Sequence, residues 1–63
     1  MNKPDWKDAP LGATHWGPEV EGKWYSGWYR LQEDGWYTYF EFDEKWRKDP
    51  FAYMNKSKVE NMI

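Results

Sequence analysis

Bulky apolar side chains fall in short bursts along this chain, and two bursts dominate. Residues 23–31 (KWYSGWYRL) and 36–42 (WYTYFEF) are built from Trp, Tyr, Phe and Thr, the types that suit a pleated surface, and both read as β-strands. Between them lies Gln32-Glu33-Asp34-Gly35, and Asp-Gly after a strand is a strong hairpin signal. The turn decides which rings share a face. A two-residue Asp34-Gly35 loop sets Tyr29 opposite Phe40 and mixes ring types on both faces. A three-residue Glu33-Asp34-Gly35 loop, with Gly35 left-handed in a G1 bulge, sets Trp28 opposite Phe40 and Tyr29 opposite Tyr39. The bulged register is preferred because it sorts the rings. Trp24, Trp28, Trp36, Phe40 and Phe42 take one side, and Tyr25, Tyr29, Tyr37 and Tyr39 take the other, with Leu31 and Glu41.

Beyond Phe42, Asp43-Glu44 turns the chain into a third strand, Lys45–Lys48, with Trp46 inward; a short helical turn is the competing reading. Asp49-Pro50 ends that element. Phe51, Tyr53 and Met54 are expected to fold back onto the sheet. Ser57-Lys58-Val59-Glu60 matches a capping box, but too little chain follows for a stable helix, and the tail is expected to fray. Ahead of the sheet, residues 1–22 carry Pro4, Pro10, Pro18, Gly12, Gly17 and Gly22 and read as an irregular arm. One short extended piece lies around Ala13-Thr14-His15-Trp16, and Trp6 and Leu11 are the expected anchors. The expected fold is therefore mainly β: one small domain with an arm (1–22), a twisted antiparallel meander of three to four short strands (23–49), and a C-terminal segment (50–63). Arm and residues 50–54 should cover the Trp/Phe face.

Composition sharpens this. A chain of 63 residues buries only about 60% of the surface its unfolded form exposes. Cysteine is absent, which removes disulfides, zinc fingers and thiol nucleophiles. Aliphatic side chains are few (Leu11, Val20, Leu31, Val59 and Ile63), so six Trp, five Tyr and three Phe must supply the core. Dense packing or self-association is expected to make up the rest. Mean hydropathy is −1.20, and no apolar run approaches the length of a membrane span. The opening MNKPDWKDAP has no hydrophobic core of a signal peptide, so an intracellular protein is expected.

Net charge is −2 but uneven. Glu33, Asp34, Glu41, Asp43 and Glu44 form an acidic stretch, followed by basic Lys45, Arg47, Lys48, Lys56 and Lys58 against Asp49. The bland reading of both is a solvated face. Catalysis has little to stand on. His15 is the one imidazole, and its plain reading is a surface or hydrogen-bonded histidine. Glu41 and Asp43 stand at i, i+2, but general acid–base work needs a desolvated carboxyl in a cleft that a sheet of this size does not offer. The glycines match no phosphate loop. Asn55-Lys56-Ser57 fits a glycosylation sequon, read as chance without a secretory signal. Neither metal nor cofactor is implied, and no enzyme is expected.

Binding is the better class. Tyr and Trp are enriched at protein–protein hot spots, and Tyr25, Tyr29, Arg30, Tyr37 and Tyr39 are the expected contact face. Pairing of that face with itself would make a homo-oligomer. A nucleotide or single-stranded nucleic acid stacking on the same rings, with Arg47 and Lys48 toward phosphate or an acidic partner, is the alternative; neighbouring carboxylates weigh against it. A cation or sugar docking on the rings is a further option.

The arm adds a resemblance. Lys3-Pro4-Asp5-Trp6-Lys7-Asp8-Ala9-Pro10-Leu11-Gly12-Ala13-Thr14-His15-Trp16-Gly17-Pro18-Glu19 resembles the opening of small accessory proteins of tailed bacteriophages, in which a "DW…AP.GATH(W/Y)" arm precedes short aromatic-rich strands. Residues 4–19 match closely and 23–48 in character; Leu11 departs from an often acidic position. The resemblance carries over no catalytic or ligand residue. It implies a setting, the cytoplasm of an infected bacterium. There such proteins bind and inhibit a host or defence protein, sequester a defence nucleotide, or serve as structural accessories.

Overall fold

The computed structural model describes residues 4–61. Five antiparallel strands form one open sheet: β1 (His15–Gly17), β2 (Gly27–Gln32), β3 (Gly35–Phe40), β4 (Lys45–Lys48) and β5 (Val59–Glu60). Their order is β4-β3-β2-β1-β5, so a four-stranded meander gains the tail strand beside β1. The fold is mainly β, as the residue types imply, and its only helical pieces among the described residues are two 3-10 turns, Trp6–Asp8 and Ala52–Met54. The extended piece of the arm becomes β1, and β4 falls on the third strand read from sequence. The capping-box residues lie in and beside β5, not in a helix. Residues 1–3 of the arm and 62–63 of the tail, where part of the expected fraying falls, lie outside the described residues.

The hairpin register differs from both expected ones. Tyr29 pairs with Thr38, Arg30 with Tyr37, Leu31 with Trp36 and Gln32 with Gly35, so Glu33-Asp34 is the two-residue loop. Gly35 keeps a positive φ of 128° but starts β3 instead of forming a bulge. The cause is local. The Asp34 carboxylate accepts hydrogen bonds from Tyr37 Oη (2.8 Å) and Gln32 Nε2 (3.4 Å), and Lys48 Nζ stands 3.6 Å away. These donors hold Asp34 inside the turn.

A one-residue change of register exchanges faces. One face therefore carries His15, Gly17, Tyr29, Leu31, Trp36, Thr38, Phe40 and Arg47, and the other carries Trp16, Trp28, Arg30, Tyr37, Tyr39 and Trp46. Trp28 and Trp36, expected together, lie on opposite faces, and so do Tyr29 and Tyr39.

Each terminal segment covers a different face, whereas both were expected on one. On the tail face, Ala52 is wholly buried and Asn55 is 1% exposed. Asn55 Nδ2 donates to Tyr29 Oη (3.2 Å), and Asp49 accepts from Thr38 Oγ1 (2.9 Å). The Lys58 ammonium lies 4.3 Å from the Trp36 ring centre and donates to the carbonyls of Ala52 and Asn55. Phe51, Tyr53 and Met54, expected to pack inward, are exposed. On the arm face, Trp6 meets Trp28 edge-on with centroids 5.1 Å apart. Leu11 is no anchor by its side chain, which is 96% exposed; its carbonyl accepts from Trp46 Nε1 (3.2 Å).

Candidate functional site

Antiparallel pairing brings Gly17, Gly27, Phe40 and Lys45 to one end of the sheet, and residues 18–26 and 41–44 both project from that end. The first excursion explains why β2 starts at Gly27 and not at Lys23. Val20 and Trp24 form their own bridge, with Val20 N–H donating to the Trp24 carbonyl and Trp24 N–H to that of Val20, each at 2.9 Å. Gly22 has φ 78°, a left-handed value that glycine adopts without Cβ strain. In the second excursion Glu44 has φ 55°, and the tight turn throws Phe42 clear of the sheet.

This end is where exposed rings concentrate. Tyr25 is 90% exposed, Phe42 is fully exposed and Phe40 is about half exposed. A groove on the tail face runs between Trp24, Tyr25, Thr38, Phe40 and Asp49. A second, on the arm face, is lined by Ser26, Trp28, Tyr39, Glu41 and Phe42. Glu41 lines the second groove, Glu19 and Glu21 line a further pocket with Trp24 and Tyr25, and Glu44 stands in the 41–44 turn; all four are exposed and none has an ion-pair partner among the described residues. Asp43 pairs with Arg47, whose guanidinium lies 5.2 Å from the Phe40 ring centre, while Asp43 Oδ1 is buried with no hydrogen-bond partner. Besides Arg47, Lys23 lies in the first excursion and Lys45 follows the second.

The expected tyrosine face is divided among three places. Tyr25 stands on the 18–26 excursion. Tyr29 is 4% exposed beneath the C-terminal segment. Tyr37, Tyr39 and Arg30 remain together on the arm face, where Tyr39 meets Trp46 edge-on at 5.2 Å. Arg30 is packed under the arm: a Cβ at Gly12 would lie 2.4 Å from its guanidinium. Tyr29 is therefore part of the core, and the four tyrosines present no common surface. Of the two cations assigned to phosphate or an acidic partner, Arg47 is paired with Asp43 and Lys48 stands beside Asp34. Glu41 and Asp43 lie in the 41–44 turn, not on a strand. Sequence reasoning passed over Phe42 as a core ring and the acidic stretch as a solvated face. The missing signal was topological, since only antiparallel pairing brings Glu19 and Glu21 to the same end of the sheet as Glu41 and Glu44.

Titration of the remaining groups is structural. Burial holds His15 below the ordinary imidazole value, with Glu60 opposing and Lys58 adding to the effect. Its Nδ1 lies 2.8 Å from Thr14 Oγ1, which accepts from Leu31 N–H at 2.8 Å, so the hydroxyl can donate to a neutral ring. Burial likewise lowers Lys58, with Lys56 adding and Asp49 opposing. The Tyr37 hydrogen bond lowers Asp34, and the same bond raises Tyr37. No group of three or more His, Cys, Asp or Glu among the described residues is arranged to hold a metal, and no helix there is long and apolar enough to cross a membrane. Asn55 of the sequon is buried with Nδ2 engaged, which leaves a glycan no room in this fold.

No family model, curated protein or solved structure matches the chain.

Proposed function

We propose that this chain is a phage-encoded, non-enzymatic binding protein that inhibits a host or antiviral-defence protein in the infected bacterial cytoplasm by covering one of its surfaces. The contact surface is the end of the sheet formed by residues 18–26 and 41–44. The observation that carries the reading is the exposure of Tyr25, Phe40 and Phe42 together at that end. A chain with so few aliphatic residues leaves these three rings exposed beside two grooves. Contiguous exposed apolar surface of this kind marks interaction sites. The arm's resemblance to phage accessory proteins supports the setting.

Affinity capture from susceptible bacteria, read by mass spectrometry, tests the proposal. Wild-type protein should retain a target whose activity falls when the protein is added, and Tyr25→Ser with Phe42→Ser should lose both capture and inhibition. Undiminished capture by that double variant would overturn the assignment.

A further inference from the structure

We infer that the partner presents a basic segment, bearing arginine or lysine, to this end of the sheet; the inference rests on the reading of that end as the contact surface. The composition and geometry of that end carry it. Rings and carboxylates share linings at this end: Glu19 and Glu21 line a pocket with Trp24 and Tyr25, and Glu41 lines a groove with Phe40 and Phe42. A purely apolar partner would cover those carboxylates without replacing their water, which is unfavourable. An anionic partner such as nucleic acid would be repelled by them. A guanidinium or ammonium suits both components, stacking on ring faces and pairing with carboxylates.

The protein already makes this contact with its own side chain. The Arg47 guanidinium lies over Phe40 and pairs with Asp43 at this same end. Tyr25 and Phe42 offer further rings of the same kind with no cation over them among the described residues. The grooves lie on opposite faces and both include Phe40, Ser26 and Gly27, so an extended segment can pass across the end from one to the other.

An NMR titration of the full chain tests this, using a short peptide of alternating arginine and glycine and a control with glutamate in place of arginine. The arginine peptide should shift amide signals of residues 19–26 and 40–44, with affinity that falls as salt rises. Tyr25→Ser with Phe42→Ser should weaken it about tenfold. Glu21→Gln with Glu41→Gln should weaken it and flatten its salt dependence. All four positions are exposed, so unchanged Trp16 and Trp36 indole signals, away from both grooves, will show that the variants fold. Absence of shifts at this end, equal binding of the glutamate peptide, or binding of a single-stranded oligonucleotide there instead would overturn the inference. So would cellular target capture that survives the glutamine variant but fails in the serine variant, an outcome that keeps the contact surface and excludes a basic partner.

Discussion

Asn55 is the residue on which the tail face closes. Its buried side chain donates to Tyr29 Oη and accepts from the Ser57 N–H at the margin of the cover. Asn55→Ala would leave the buried Tyr29 hydroxyl without this partner, and urea unfolding should show a loss of about 1–3 kcal/mol. His15 is the second case. Its pKa is lowered in the fold, so the unfolded chain binds the proton more readily, and stability is complete above about pH 6.5. It is lost as pH falls through the folded value, and Tm should drop between pH 8 and pH 5. His15→Gln should reduce that pH dependence, measured by the same melts. At this scale the sequence was least legible. Asn55 read as part of a surface motif and Tyr29 as a surface ring, because a polar residue's burial depends on what folds over it. Ala52, wholly buried, gave no signal beyond being small.

The hairpin turn shows the element scale. Ring-rich runs on either side of Gln32-Glu33-Asp34-Gly35 were enough to identify the two strands, and Lys45–Lys48 followed from the turn and proline around it. Register was not legible, since it depends on Asp34 gathering Tyr37, Gln32 and Lys48, contacts that exist only once the register is set. Asp34→Ala should lower Tm and bring the Tyr37 phenol back down toward its ordinary value, measurable as an earlier phenolate absorbance on raising pH. β1 carries a different constraint. A Cβ at Gly17 would lie 2.7 Å from Tyr29 Cε1 and 3.1 Å from Asn55 Nδ2, both in the buried tail-face packing. Gly17→Ala should therefore cost about 1–3 kcal/mol in urea unfolding, as overpacked cores do. The tail strand β5 was invisible in sequence because two residues carry no pattern; it forms because β1 offers an open edge.

At the scale of the whole molecule, a sheet too small for a one-sided core is covered on both faces by its own terminal segments. Trp6 covers one face, and Ala52, Asn55 and Lys58 the other. Its β4 edge carries Lys45, Arg47 and Lys48, and like charges of this kind oppose edge-to-edge pairing between copies. The end with residues 18–26 and 41–44 carries the most exposed rings, Tyr25 and Phe42, together with carboxylates that have no ion-pair partner among the described residues. The most direct measurement is hydrogen–deuterium exchange of the protein alone and bound to its captured target. Slowed exchange in residues 18–26 and 41–44, with β4 unchanged, is the expected result. Protection confined to β4 or to Arg30 and Tyr37, with that end exchanging freely, would contradict the account.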